Sequence, residues 1–154
     1  MLRNTVVTTD CWASQFMIAT WKKCCVTFGS VICDSLQEKK SIFATAGGYG
    51  EFKGRWEFPG GKIEEGETLQ QALVREIQEE LDTKIIFGDL IGTIEYDYPT
   101  FRLSMDCFWC EVVDGELKLL EAEEARWLSK DTLYSVQWLP ADITLIDRIE
   151  KQMR

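Results

Sequence analysis

The chain has 154 residues, 17 of them basic, 26 acidic and none histidine, with 45% hydrophobic and 12% aromatic content. That length suits one domain able to bury roughly 70% of its unfolded surface, and the apolar content excludes a disordered chain. A net charge of −9 excludes a general binder of polymeric nucleic acid or membrane surfaces. The missing imidazole excludes Ser-His-Asp and Cys-His schemes and histidine zinc sites, leaving carboxylates, metal ions, Lys, Arg, Tyr and Cys to do any chemistry.

Residues 1–21 carry no pattern that places them and read as an N-terminal extension of unknown role. Their apolar run, 11–21, is broken by Ser14 and Gln15, lacks a cleavage-site pattern and is too short to span a bilayer. Strands are expected over 24–33 and 41–45. A glycine-rich stretch follows, with Gly47, Gly48, Gly50, Gly54 and then Pro59-Gly60-Gly61. It is neither a P-loop nor a dinucleotide fingerprint, since it lacks Gly-Lys-Ser/Thr and the GxGxxG spacing.

The pattern predicts a helix over 68–81, with Thr68 and Gln71 as a capping box and Val74, Ile77 and Leu81 sharing a face with Leu73. Strands are then expected over 84–87, 91–98, 101–113 and 117–121. Within the third of these, Cys107-Phe108-Trp109-Cys110 spells CxxC. Residues three apart on a strand face opposite ways, so these cysteines cannot bridge and read as small core hydrophobes, with reduced thiols and a cytoplasmic setting. Ser129 caps a short helix, and a last helix from about Ala141 carries Leu145, Ile146, Ile149 and Met153 at helical spacing. Many strands with a central and a terminal helix read as α/β (α+β), with a mixed sheet between helices.

The sharpest chemical feature is Arg75-Glu76-Ile77-Gln78-Glu79-Glu80. Glu76, Glu79 and Glu80 stand at i, i+3 and i+4 and share roughly a quarter of the helix circumference. Like charges at this spacing repel unless something neutralises them. With carbonyls from Pro59-Gly60-Gly61 just upstream, they make a hard-oxygen set suited to Mg²⁺ or Mn²⁺.

Gly61, five residues, Glu67, seven residues, then Arg75 to Glu80 resembles the Nudix hydrolase signature. Trp56-Glu57-Phe58-Pro59-Gly60-Gly61-Lys62 is similar to the MutT-type group of 8-oxo-dGTP diphosphatases and CTP pyrophosphohydrolases. The likeness runs from about Lys22 to Ile149 and includes Glu95-Tyr96-Asp97-Tyr98-Pro99 and Trp138-Leu139-Pro140-Ala141-Asp142. It implies a single domain over 22–154 with the Nudix α/β/α sandwich. It also implies Mg²⁺-dependent hydrolysis of a nucleoside triphosphate to monophosphate and pyrophosphate, by a monomer or homodimer.

Carried over by position, the resemblance makes Glu76, Glu79 and Glu80 metal ligands together with the Gly60 carbonyl. Arg75 would orient a helix glutamate, and Glu67 would hold the loop against the helix. A further ligand or base is expected at Glu121, six residues before Trp127, with Glu124 the alternative. For the substrate, Phe58 and Leu103 would wall the base, Lys62 would contact the substrate, and Asp142 would read the base edge. Asp142 also stands where an N-cap of the last helix belongs.

Two departures stand out. The signature's closing glycine is Asp82, a residue that can still adopt a left-handed turn. At Ala46-Gly47 relatives commonly carry arginine, leaving Lys53, Arg55 or Lys62 to supply positive charge. Rival readings are a Nudix hydrolase of ADP-ribose or a dinucleoside polyphosphate, and a Nudix-like nucleotide-binding module that does not hydrolyse.

Overall fold

The computed structural model describes residues 23–47, 50–114 and 116–154; the expected N-terminal extension, 1–21, lies outside them. Seven strands form one mixed sheet: β1 (Lys23–Cys33), β2 (Ser41–Gly47), β3 (Arg55–Glu57), β4 (Gly60–Lys62), β5 (Lys84–Asp97), β6 (Phe101–Asp114) and β7 (Glu124–Ser129). The main path runs β3-β2-β1-β6-β5, with β4 added to β1 and β7 to β2. At its centre β1 and β6 pair in parallel, and the other pairings are antiparallel. Among the described residues the helices are α1 (Leu69–Leu81) and α2 (Pro140–Gln152), with short 3-10 helices at Gly50–Phe52 and, after the expected N-cap Ser129, at Lys130–Ser135. Among the described residues no helix is long and apolar enough to cross a membrane.

Two apolar clusters lie on opposite faces of this sheet. The first joins Val31, Trp109 and Leu128 to Leu145, Ile146 and Ile149 of α2. The second joins Phe28, Ile32 and Phe43 to Leu73, Ile77 and Leu81 of α1. Side chains alternate between faces along a strand, so Cys107 falls in the first cluster and Cys110 in the second. Both are free and buried, and the CxxC spelling has no redox geometry.

Helix α1 begins as expected. Thr68 accepts from the Gln71 N–H at 3.1 Å, and the Gln71 side chain accepts from the Thr68 N–H at 2.9 Å. It ends at Asp82, which is left-handed (φ 49, ψ 48) and donates its N–H to the Gln78 carbonyl. The Asp82 carboxylate accepts from Gln78 and Lys118, so local bonds offset the conformational cost of not being glycine.

Three expectations need correction. Val74 is exposed rather than part of the packed face, which runs through Ala72, Leu73, Glu76, Ile77, Glu80 and Leu81. Residues 117–121 are not a strand; they lie against the end of α1, with Lys118 and Leu120 donating to the Leu81 and Glu80 carbonyls. The strand comes later, at Glu124–Ser129, where six residues pair with β2. Finally, 84–97 is one strand bent by register shifts between Phe87 and Gly92, because a bulge absorbs the irregularity without ending the ladder.

Candidate active site

The glycine-rich segment folds into two short strands, β3 beside β2 and β4 beside β1, with α1 packed against β4. Gly60 lies against Gly29 of β1, so close that a Cβ there would strike the Phe28 carbonyl, and a Cβ on Gly61 would strike the Glu76 side chain. Both positions need glycine because backbone and carboxylate occupy that volume.

Arg75 organises the polar groups beside them. Its guanidinium donates to Glu67 at 2.7 and 2.9 Å, to Glu76 Oε1 at 2.7 Å and to the Lys62 carbonyl at 3.1 Å. Glu67 also accepts from the Glu64 N–H at 2.9 Å, tying the loop before α1 to the middle of the helix. This charge-assisted fork fixes Glu76 from one side only. Glu79 lies 3.5 Å from the same guanidinium.

Beyond Arg75 the carboxylates are poorly compensated. Glu76 is fully buried and Glu80 nearly so, and Glu76 Oε2 and Glu80 Oε1 have no hydrogen-bond partner. Burial pushes Glu76 up to about 8, against the pull of Arg75, with Glu79 and Glu121 raising it further. Glu80 is raised well above its ordinary value by burial, then by Glu76, Glu57, Glu121 and Glu79. Glu121, itself exposed, is raised by desolvation and by Glu79. Among the described residues no three acidic or sulfur side chains enclose a ready-made ion cage. The donor set nevertheless fits a hard divalent cation, which would supply the charge that two orphaned buried oxygens lack.

Glu124 is placed elsewhere. It pairs in register with Ala46, whose side chain belongs to the α2 face, and binds Arg126 at 3.0 Å. Gly47 has open space above it, and its cross-strand partner is Arg55. Arg55 donates to the Trp138 carbonyl at 3.2 Å, and Lys53 is exposed.

A cleft lined by Glu80 and Gly60 is walled by Phe58, Phe101, Leu103 and Met105, with Glu57, Tyr98 and Asp142 as its other polar groups. Phe58 leans on Trp138 with ring centroids 4.9 Å apart. Lys62 does not line this cleft. Asp142 is not the N-cap; Leu139 holds that position, and Asp142 sits in the first turn with its carboxylate accepting from the Phe58 N–H at 3.1 Å. Burial pushes Asp142 up to about 7 despite that bond, and pushes Glu57 up to about 8 with help from Asp142. A carboxyl accepts when ionised and can also donate when neutral, so Asp142 and Glu57 can offer the cleft both hydrogen-bond types.

Glu57 was not singled out from sequence. Its only local signal is a carboxylate between the aromatics Trp56 and Phe58. Asp142, its main electrostatic neighbour, lies 85 positions away (142 − 57) in the chain.

Comparison with known proteins gives the family and the fold. The model of the NUDIX domain matches residues 26–149. The chain is 34% identical over 99 residues to a Haemophilus influenzae 8-oxo-dGTP diphosphatase, covering 64% of this chain and 73% of that one. It is 28% identical over 111 residues to the Escherichia coli CTP pyrophosphohydrolase, covering 72% and 82%. The solution structure of the Escherichia coli ORF135 protein superposes with a TM-score of 0.70 at 26% identity, over 84% of this chain and 91% of that one.

Proposed function

This chain belongs to the Nudix family, and from that premise we propose that it is a divalent-metal-dependent pyrophosphohydrolase of nucleoside triphosphates. Water and (d)NTP would give (d)NMP and pyrophosphate, with 8-oxo-dGTP or CTP/dCTP-type nucleotides as substrates. Hydrolysis of a phosphoanhydride is the family's chemistry, and diphosphatase and pyrophosphohydrolase relatives support the reaction class. The observation that carries the reading is the pair of buried, unpartnered oxygens on Glu76 and Glu80, with Glu80 and Asp142 lining one cleft.

Glu76, Glu79, Glu80 and the Gly60 carbonyl would hold Mg²⁺, or Mn²⁺ in its place, with Glu121 as a further ligand. When bound, the ion supplies neutralisation of the phosphates and activation of a water. The protein's own part is to hold the glutamates in place through Arg75 and Glu67, and to accept the water's proton on a carboxylate. Glu121 suits that last role because it is exposed and linked electrostatically to the cluster. The base would lie against Phe58 and Leu103, with Asp142 and Glu57 facing its polar edge. The acceptor–donor edge of cytosine, or the ring N–H and amine of guanine and 8-oxoguanine, matches such carboxyls. Positive charge for the phosphates would come from Arg55 and Lys62.

The test is turnover with Mg²⁺ on CTP, dCTP, 5-methyl-dCTP, dGTP, 8-oxo-dGTP, ADP-ribose and a dinucleoside tetraphosphate, with nucleotide and phosphate products resolved. Monophosphate plus pyrophosphate is the expected pair. Turnover of ADP-ribose or the tetraphosphate alone would overturn the base-pocket assignment while retaining the metal helix. Binding without turnover would favour a non-hydrolysing module.

A further inference from the structure

We propose that Tyr98 is a positioning residue for Asp142: it caps helix α2 from outside, so that the Asp142 carboxylate stays turned toward the cleft. This rests on the reading of Asp142 as the group that meets the base.

The first turn of a helix leaves backbone N–H groups without internal partners, and a nearby acidic side chain is the usual remedy. Here the N-cap is Leu139, which offers no side-chain acceptor, and Pro140 has no N–H to satisfy. The next donor, the Ala141 N–H, is buried. It donates to the Tyr98 hydroxyl at 3.2 Å, across 43 positions of sequence. Asp142, the one acid in that turn, caps nothing in its own helix; its Oδ2 accepts from the Phe58 N–H in the cleft wall. The two bonds are complementary: with the phenol holding the helix start, the carboxylate is left for the cleft.

Tyr98 is itself firmly placed. Its ring stacks on Phe101 at 4.8 Å and 21°, meets Tyr96 at 4.8 Å, and takes the edge of Phe52 at 5.8 Å. Phe52 sits on the β2–β3 connection and Phe101 opens β6, so three elements fix the phenol. Phenylalanine at 98 would keep every ring contact and delete the hydroxyl that accepts from the Ala141 N–H. The Ala141 N–H would then be a buried orphan, and the nearest carboxylate on its own helix is Asp142. Drawn back to cap α2, Asp142 would leave both the Phe58 N–H and the base edge.

The test is a double-mutant cycle on steady-state kinetics with Mg²⁺ and the two best nucleotides of the substrate panel. Tyr98→Phe is expected to raise KM for the preferred nucleotide about fivefold to tenfold, the size of one lost buried hydrogen bond, and to narrow the preference between the two. kcat is expected to change by less than about twofold, since no group at the phosphates moves. In an Asp142→Ala background the same substitution should leave KM and preference unchanged. A fall in Tm on Tyr98→Phe with KM and preference unmoved would overturn the inference, as would equal effects in both backgrounds. If Asp142→Ala alone leaves nucleotide preference untouched, the base-reader reading fails first. A changed preference in Asp142→Ala, with Tyr98 effects independent of it, sinks the Tyr98 inference alone.

Discussion

Glu67 and Glu80 are carboxylates with little access to water on either side of one stretch of helix, and their surroundings are opposite. Glu67 accepts from Arg75 twice and from the Glu64 N–H. Glu80 has an oxygen that accepts nothing, and its electrostatic neighbours are Glu76, Glu57, Glu121 and Glu79. The first is a brace, complete as folded. The second is a concentration of like charge that costs stability unless a cation neutralises it. The contrast separates carboxylates that hold the fold from those available for chemistry, and it puts Arg75 at the border, bound to both.

The strongest way to break the comparison is at Glu79. Glu79→Gln should lower Mg²⁺-dependent kcat by about 10²–10³-fold, the scale of losing a charged group that supports the transition state, with the circular dichroism spectrum unchanged. Turnover within a few-fold of wild type would remove Glu79 from the metal-binding set. Arg75→Gln tests the brace. It strips the cation from Glu67 and Glu76 together and should cost about 3 kcal/mol in urea unfolding, toward the low end for a broken buried pair because Arg75 is part-exposed. A loss below about 1 kcal/mol would mean the fork contributes little to the fold.

The cluster should behave in the opposite sense. Glu57 and Glu76 are pushed up to about 8 and Asp142 to about 7, from ordinary values of 4.5, 4.5 and 3.8. Between pH 5 and 8 the folded state therefore holds protons that the unfolded chain has released. Stability must fall as pH rises through that window. Thermal melts in EDTA should show Tm dropping by several degrees from pH 5 to 8, and Mg²⁺ should flatten the slope. Glu80→Gln, with no charge to bury, should raise the EDTA Tm at pH 8 while abolishing most turnover. A flat EDTA profile, or a lower Tm for Glu80→Gln, would show that the cluster is compensated after all. The smallest effect belongs to a group outside both regions: Thr68→Ala deletes half of the capping box and should cost about 1 kcal/mol, with kcat and KM unchanged.

Where the sequence could be read directly, the determinants were local. Thr68 and Gln71 are three residues apart, Glu76, Glu79 and Glu80 lie on adjacent turns, and Asp82 makes the left-handed exit bonded to Gln78, four residues back. Where it misled, partners were distant. Residues 117–121 alternate like a strand, yet spend their backbone bonds on the carbonyls ending α1. The real strand, Glu124–Ser129, reads as a charged run because its exposed Arg126 and Trp127 conceal the pairing with β2. Asp142 has the composition of a cap, and nothing within ten residues announces that Tyr98 holds the helix instead. Glu57 belongs to a strand of three residues, too short for any periodicity to declare which way it faces.

The parallel pairing at the centre of the sheet also sets an order of assembly. Every registered pair between β1 and β6, from Lys23↔Phe101 to Cys33↔Glu111, joins residues 78 positions apart (101 − 23 and 111 − 33). The β5–β6 hairpin closes across only Tyr98 to Thr100. Closing the long loop forfeits about 2–3 kcal/mol more chain entropy than closing the short one. The hairpin is thus expected to gain amide protection first in pulse-labelled refolding, with β1 joining in a later phase, and simultaneous protection would contradict that order. During synthesis, β1 must wait for β6 to leave the ribosome before the sheet has a centre. Until then Phe28, Val31 and Ile32 have no neighbouring strand on that side, and the nascent chain is most exposed to aggregation.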